Sequence, residues 1–265
     1  DAAAHALGPH LARRRSGRAC RERMGCSVAY GCFCAVPPVG DRGAGDVAET
    51  LSVLDRAYRG RSLETDLAIS NADARGQFIE ATSASGSAAS RLWDAQNPAH
   101  YGEISPLVFC QLLHEVEAVP GEKFYDLGSG NGKLVLLAWL LGLESTGIEI
   151  IKERMQGAEN ALQLLLGDLE EDDRPTLPIR LISGSFLDVD FSDADVLYTY
   201  DYLFTPELKE GIARGARGMR PGSRVVSCRG LPGPGLGAPR PFYCHDFRKE
   251  LFPHEFAIQR VGEPR

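Results

Sequence analysis

From residue 105 onward, short apolar runs alternate with segments whose apolar residues recur at helical spacing. The short runs predict five strands and a closing hairpin, and the longer segments predict four helices. The predicted strands are 123–127, 146–150, 179–183, 195–200 and 224–227, the hairpin lies within 242–258, and the helices are 106–116, 133–141, 151–166 and 206–215. Strands and helices in this alternation form a parallel sheet covered by helices on both faces. We therefore predict a Rossmann-like, doubly wound, mostly parallel α/β domain over residues 95–260.

The chain ahead of this domain divides into two parts. Residues 1–45 show no hydrophobic period and are rich in Gly, Pro, Ala and Arg, which predicts a basic, disordered arm or a targeting segment. In residues 46–94, apolar positions recur at helical spacing from Val47 to Tyr58, and the stretch 82–90 has the composition of a flexible linker. The sequence thus predicts a helical, partly disordered N-terminal extension.

Composition and charge narrow the class of protein. Of the 265 residues, 43% are hydrophobic and 25% charged, as in a globular chain, and no apolar run approaches the ~18 residues of a membrane span. The net charge is −7, yet residues 1–42 contain seven arginines and three acidic residues, a net of +4 that leaves −11 for the remainder. A basic arm on an acidic body suits either a DNA contact or a transit peptide. Four cysteines in the arm lack the paired spacing of a zinc site, so we predict no metal.

The strongest chemical motif is a glycine turn between the first predicted strand and its helix. After Asp126, glycines occupy positions 128, 130 and 132, with Ser129 between the first two. Glycine permits positive φ and a close approach of ligand to backbone, and the helix start offers unpaired N–H groups. A dinucleotide fingerprint requires glycine where this chain has Lys133. The remaining pattern is that of methyltransferases that use S-adenosylmethionine.

Two acidic residues have positions that suit this cofactor. We predict that Asp126 compensates the cationic methionine end of the cofactor, because a cation in a partly dry pocket needs an opposite charge. Glu149 ends the second predicted strand, where a carboxylate can accept hydrogen bonds from both ribose hydroxyls. Both residues are therefore candidate cofactor ligands, together with Gly128, Ser129, Gly130 and Gly132.

Candidates for the adenine and acceptor sites follow the third and fourth strands. Ser185 and Phe186 follow the third, so Ser185 is placed to hydrogen-bond near the adenine and Phe186 either to stack on it or to fill the core. Tyr198, Tyr200 and Tyr202 end the fourth strand, where alternation predicts one shared face opposite Asp201. A tyrosine stripe serves packing as readily as chemistry, and both interpretations stay open.

Several motifs together resemble the disruptor-of-telomeric-silencing family of histone lysine methyltransferases, which are non-SET enzymes with a class I methyltransferase fold. The motifs are Tyr101-Gly-Glu-Ile-Ser105, Asp126-Leu-Gly-Ser-Gly130, Gly147-Ile-Glu149, Phe204-Thr-Pro-Glu207 and Arg224-Val-Val-Ser227. Two family motifs differ here: Gly-Asp-Phe is Gly184-Ser185-Phe186, and Asn-Asn-Phe is Tyr200-Asp201-Tyr202.

The resemblance implies roles and a reaction. Tyr101 and Glu103 would cover the methionine end of S-adenosylmethionine and shape a lysine channel, and Asp201 and Tyr202 would contact the incoming amine, so Tyr101, Asp201 and Tyr202 are the candidate catalytic residues. A lysine ammonium must lose its proton before it attacks the methyl group, which a dry channel beside a cation favours. The implied substrate is histone H3 in the nucleosome, within the nucleus.

Two other functions remain open at this point. The chain could methylate lysine in a non-histone protein, such as a mitochondrial one, with the basic arm as transit peptide. Alternatively, the methyltransferase fold could serve as a non-catalytic binding module, in which residues 200–202 fill the acceptor channel.

Overall fold

The computed structural model describes residues 47–58, 73, 76–77, 104–244 and 254–262. The predicted basic arm, the linker at 82–90 and the candidate residues Tyr101 and Glu103 lie outside these residues. The helices are α1 (Val47–Tyr58), α2 (Pro106–Glu115), α3 (Lys133–Leu140), α4 (Lys152–Asp168) and α5 (Pro206–Ala216). The strands are β1 (Lys123–Leu127), β2 (Glu144–Glu149), β3 (Ile179–Ser183), β4 (Val196–Thr199), β5 (Arg224–Ser227), β6 (Arg240–Cys244) and β7 (His254–Arg260).

All seven strands form one sheet in the order β3-β2-β1-β4-β5-β7-β6. Strands β1 to β5 are parallel, whereas β7 pairs antiparallel with both β5 and β6. The order reverses between β1 and β4, and ligands of doubly wound sheets bind outside the carboxyl ends of the strands at such a point. The predicted fold class is confirmed, and the site must be sought where β1, β2 and β4 end.

Local sequence explains where two of the helices begin. Ser105 and Thr205 each precede a proline, and their hydroxyl oxygens accept hydrogen bonds from the backbone N–H groups of Val108 and Leu208, both at 3.4 Å. The side chain satisfies an N–H that the helix leaves unpaired, and the proline occupies a position that needs no donor.

Helix α3 differs from the other helices in burial. Its residues 133–139 are all buried, so it is a core helix between the sheet and its neighbours.

Apolar residues on alternate positions of the strands pack on opposite faces of the sheet. On one face, Phe109 of α2 meets the rings of Phe124 and Tyr198 edge to face, with centroids 5.3 and 6.1 Å apart. On the other face, Tyr125 and Leu197 belong to a cluster that includes the buried residues of α5. This alternation within β1 and β4 is what a sheet covered on both faces requires.

The last strand holds the loop that follows β5. Gln259 of β7 is 1% exposed, and its amide nitrogen donates to the carbonyl oxygens of Leu231 and Gly237 at 3.3 and 3.0 Å. Its amide oxygen accepts from the backbone N–H of Leu231 at 2.7 Å. One buried side chain of β7 therefore fixes two points of a loop rich in glycine and proline.

Most predicted boundaries agree with the structure within two residues. The fourth strand, predicted to reach residue 200, ends at Thr199, and residues 200–205 form an irregular connection to α5, so Tyr200 and Tyr202 lie beyond the strand. The predicted alternation of three tyrosines on one strand face is therefore wrong. Among the described residues, no helix combines the length and apolar character needed to cross a membrane.

Candidate active site

The glycine turn after β1 has the backbone that its sequence predicts. Gly128, Gly130 and Gly132 have φ values of +84°, +54° and +73°. The backbone N–H groups of Gly128 and Ser129 donate to the carbonyl oxygen of Ile148 at 2.9 and 3.0 Å, which ties the turn to β2. The turn is therefore held by backbone hydrogen bonds.

Contacts at Gly132 and Ser129 face the protein interior. A Cβ atom at Gly132 would lie 2.7 Å from the Cβ of Ala158, so glycine here permits the close approach of α3 and α4. The Ser129 hydroxyl is buried over Gly147 of β2, where an added Cβ would lie 2.8 Å from its oxygen. Ser129 and Gly132 thus fix the turn through contacts on its interior side. The side of the turn that would face a ligand is formed by the backbone.

Glu149 links the turns that follow β1 and β2. The residue is 4% exposed, its Oε2 accepts from the backbone N–H of Gly130 at 2.8 Å, and its Oε1 accepts from the backbone N–H of Ile151 at 2.8 Å. Hydrogen bonds from backbone N–H groups to a carboxylate are strong and fix its orientation. Each carboxylate oxygen can accept a further hydrogen bond, so Glu149 keeps the capacity to bind a diol.

Asp126 lies close to Glu149 and is also buried, at 3% exposed. Burial, with a further contribution from the charge of Glu149, raises the pKa of Asp126 from its ordinary value of 3.8 to about 8. Near neutral pH this carboxyl group is therefore largely protonated in the ligand-free protein. A cationic group placed beside it would lower its pKa and favour the charged form, so the pair of acids is suited to a ligand that carries an ammonium group.

An apolar cluster lies beside these acids. Leu208 of α5 is buried, and Ile150, Phe186 and Phe204 pack against it. The rings of Phe186 and Phe204 stack with centroids 5.7 Å apart and planes inclined by 24°. A Cβ at Gly128 would lie 3.5 Å from Cζ of Phe204, so this ring also approaches the glycine turn. The cluster offers an apolar surface for a flat ring.

Phe204 is the residue that the sequence analysis did not propose as a ligand. In the sequence analysis it appears only within the Phe-Thr-Pro-Glu motif. An aromatic residue just before a predicted helix, at the carboxyl edge of the sheet, could have indicated a ligand contact. Ser185 has a local role: its hydroxyl oxygen accepts from the backbone N–H of Leu187 at 3.2 Å and caps a short 3₁₀ helix, Phe186–Asp188.

The three tyrosines after the start of β4 differ in exposure: Tyr198 is buried, Tyr200 is half-buried and Tyr202 is exposed. Tyr198 and Tyr200 both lie against the ring of Phe256, with centroids 6.0 and 6.1 Å from it. Tyr202 is 56% exposed, and the guanidinium of Arg229 lies over its ring at 5.2 Å. Packing therefore accounts for the first two, and Tyr202 is the most accessible of the three.

Asp201 occupies an environment unlike the predicted one. Its side chain is fully buried, Oδ1 accepts from the backbone N–H of Cys228 at 2.5 Å, and Oδ2 pairs with Nζ of Lys209 at 3.2 Å. Burial raises the pKa of Asp201, and Lys209 opposes this rise. Its carboxylate connects the end of β5 to the loop after β4, and the prediction that Asp201 contacts an acceptor amine finds no support in this geometry.

The residues present fit S-adenosylmethionine. The backbone wall of the glycine turn, the buried carboxylate of Glu149, the ionisable Asp126 and the apolar cluster suit a nucleoside joined to a cationic amino acid. The third glycine of a dinucleotide fingerprint is missing at position 133, where Lys133 stands. The structure thus brings together Asp126, the three glycines, Glu149, Ser185 and Phe186.

Among curated proteins, the chain is similar to histone-lysine N-methyltransferases described as specific for H3 lysine-79. It is 33% identical to the one from Debaryomyces hansenii over 137 residues, covering 49% of this chain and 12% of that protein. It is 28% identical to the one from Candida albicans over 162 residues, covering 54% of this chain and 11% of that protein. The chain therefore matches about an eighth or less of the length of these two relatives.

Among solved structures, an RNA methyltransferase from Salinibacter ruber in complex with S-adenosyl-L-homocysteine aligns with a TM-score of 0.44 and 22% identity. The alignment covers 62% of this chain and 96% of that one. TrmN from Thermus thermophilus aligns with a TM-score of 0.45 and 22% identity, covering 60% and 50% of the two chains. These likenesses are distant, so the family assignment depends on sequence.

The model of one protein family, described as "Histone methylation protein DOT1", matches residues 86–236. That range is more than half of the 265 residues and contains the glycine turn, Glu149, the apolar cluster and the loop that holds Asp201. The chain belongs to the DOT1 family of histone methylation proteins.

Proposed function

We propose that this chain is an S-adenosylmethionine-dependent histone-lysine N-methyltransferase with histone H3 as its substrate. The observation that carries the proposal is the family match over residues 86–236, because it spans the glycine turn, Asp126, Glu149 and the apolar cluster. We call the region that these elements border the crevice. The names of the relatives, which specify H3 lysine-79, support the choice of histone. The class of substrate and the reaction are thus inferred together from one stretch of chain.

In the crevice, different residues would bind different parts of the cofactor. S-adenosylmethionine supplies, when bound, a methyl group on a sulfonium cation. Glu149 would accept hydrogen bonds from the ribose hydroxyls, and Asp126 would face the ammonium of the methionine part. Phe186 and Phe204 would lie beside the adenine and keep water from it. Most of the backbone N–H groups of the turn already donate within the protein, so those in the first turn of α3 would hold the carboxylate of the methionine part.

The acceptor side would be formed by Tyr202 and by residues ahead of α2. Tyr101 and Glu103 remain candidates for the methionine end and for the wall of a lysine channel. Such a channel favours the neutral amine, because desolvation and a neighbouring cation both lower the pKa of a lysine. Alignment of the neutral amine with the methyl group then contributes most of the rate, since positioning alone can supply several kcal/mol.

The proposal extends to partners and location. Residues 1–45 carry a positive charge that would contact nucleosomal DNA, and a histone substrate would place the protein in the nucleus. Removing residues 1–45 should then weaken DNA binding and reduce its dependence on salt, as measured by titration at several salt concentrations. Affinity and salt slope that are unchanged would contradict the DNA contact while leaving the catalytic proposal standing.

Methyl transfer from radiolabelled S-adenosylmethionine tests the catalytic proposal. The full chain is incubated in parallel with nucleosomes, free histones and mitochondrial extract, and labelled lysines are located by mass spectrometry. We expect label on histone H3, and none with the Glu149→Ala variant. Label only on mitochondrial proteins would identify a non-histone enzyme, and binding of S-adenosylhomocysteine without transfer would identify a non-catalytic module.

A further inference from the structure

Helix α1 contacts the glycine turn directly through its last residue. Tyr58 is 7% exposed, and its hydroxyl donates to the carbonyl oxygen of Asn131 at 2.7 Å. Asn131 lies between Gly130 and Gly132, both at positive φ. The hydroxyl therefore contacts the middle of the turn, on a backbone atom between two residues whose torsions define its shape.

The same ring also contacts the start of α3. The ammonium of Lys133 lies over the ring of Tyr58, 5.3 Å from its centroid, and Lys133 is itself 9% exposed. Leu54, one turn before Tyr58, and the neighbouring Ala57 are each 2% exposed, so apolar contacts anchor this end of α1. Tyr58 thus contacts both the middle of the turn and the residue that begins α3.

A second residue ahead of the sheet contacts the other helix start of the crevice. The side-chain oxygen of Gln77 accepts from the backbone N–H of Lys152 at 2.7 Å, and its nitrogen donates to Glu153 at 2.5 Å. Lys152 begins α4 and follows Ile151, whose backbone N–H donates to Glu149. Gln77 therefore caps the turn that orients the carboxylate at the ribose position.

We infer that Tyr58 and Gln77 are positioning residues of the cofactor site, and that binding of S-adenosylmethionine is coupled to the contacts of these two side chains with the turns after β1 and β2. This inference rests on the proposed function. Each residue fixes a backbone turn that borders the crevice, one after β1 and one after β2. Coupling is reciprocal: if docked Tyr58 and Gln77 strengthen cofactor binding, bound cofactor must strengthen their docking by the same factor.

A simpler role would be that α1 only covers the apolar surface of α3 and α4. In that case the loss of the Tyr58 hydroxyl would alter stability without altering ligand affinity. The inference predicts a change in affinity and in the mobility of the turn. These outcomes separate a positioning residue from a covering one.

The test measures S-adenosylhomocysteine affinity of the full chain by calorimetry for wild type, Tyr58→Phe and Gln77→Ala. We expect about five- to tenfold weaker binding for each, the effect of losing the one hydrogen bond that each side chain makes to a backbone turn, with KM for S-adenosylmethionine raised and kcat within about twofold of wild type. Tyr243→Phe is the matched control, because Tyr243 is 61% exposed on edge strand β6 and should change nothing. Gln77 lies on the surface, so its variant keeps the test valid if Tyr58→Phe unfolds.

Hydrogen exchange separates this inference from the proposed function. In ligand-free protein, Tyr58→Phe should speed amide exchange in residues 128–133, and in wild type S-adenosylhomocysteine should slow exchange in residues 47–58. Affinities equal to wild type for both variants would overturn the inference while leaving the cofactor assignment intact. Absence of binding to wild type would overturn the proposed function and the coupling with it, whereas the exchange of residues 128–133 would still report on positioning.

Discussion

The site that we propose has two ends, and each buries a carboxylate that is held by different partners. At the proposed cofactor end, Glu149 accepts from two backbone N–H groups that belong to consecutive strand-to-helix turns. At the proposed acceptor end, Asp201 accepts from the backbone N–H of Cys228 and pairs with the side chain of Lys209. The first arrangement depends on a single side chain, whereas a substitution at either of two positions alters the second. We therefore expect the surroundings of Asp201 to change more readily by substitution than those of Glu149.

The largest expected effect is at Glu149. The Glu149→Ala variant leaves two buried N–H groups without their charged acceptor and removes the ribose ligand, so we expect about a 1,000-fold loss of S-adenosylhomocysteine affinity. Calorimetry measures this loss, with Glu144→Ala at the opposite end of β2 as control. Binding that survives within tenfold would mean that the carboxylate is not a cofactor ligand.

At Asp201 we expect a loss of stability instead. The Asp201→Ala variant leaves the Lys209 ammonium and the Cys228 N–H unpaired, which should lower the free energy of unfolding by about 3 kcal/mol in urea titrations. Affinity for S-adenosylhomocysteine should stay within about twofold, and Asp201→Asn, which keeps an acceptor for Cys228, should lose less. An affinity loss as large as that of Glu149→Ala would show that the two ends are not independent.

Two glycines with left-handed torsions offer a matched pair. Gly132 has φ of +73° and a Cβ there would meet Ala158 at 2.7 Å, whereas Gly121 has φ of +86° and open space around its Cβ. Alanine at Gly121 costs only the torsional strain of about 1 kcal/mol, and alanine at Gly132 adds steric overlap for a total of about 2 kcal/mol. Equal urea midpoints for the two variants would contradict the role assigned to Gly132.

The smallest effect is a pH dependence at the cofactor end. Because the pKa of Asp126 is raised to about 8, binding of an ammonium beside it should release a proton. Affinity for S-adenosylhomocysteine should then rise about fivefold from pH 7 to pH 8, as the ionised fraction of Asp126 grows from about a tenth to about a half. The folded state holds this proton where the unfolded chain does not, so Asp126 also lowers stability as pH rises from about 4 to 8. Calorimetry of Asp126→Asn should show weak binding without this slope; a slope that persists would assign the proton to another group.

The sequence predicts the backbone of the glycine turn and the position of Glu149 at the end of β2 because these signals are local. The glycine spacing defines the turn, and the number of residues from Asp126 to Glu149 is set by one turn, one helix and one strand. The fold class and the family were predicted correctly for the same reason. The roles of the individual site residues stay predictions until ligand binding is measured.

The acceptor half was less predictable because its contacts join distant positions. Nothing near Asp201 in sequence indicates that Cys228 and Lys209 bind its carboxylate, or that β4 ends before the tyrosines can alternate. The contact of Tyr58 with Asn131 likewise joins residues 73 positions apart. Such pairings depend on the packed arrangement of helices around the sheet, which the hydrophobic pattern alone does not specify.

The antiparallel pairing of β7 with β5 also affects the order in which parts of the domain can fold during synthesis. Strands β1, β2 and β3 have left the ribosome once residue 183 has emerged, and their pairings span short separations, so they can assemble early. The loop after β5 obtains its hydrogen bonds from Gln259 only after β7 has been synthesised. A nascent polypeptide halted before β7 would therefore carry paired strands β1 to β3 beside a loop that is not yet fixed.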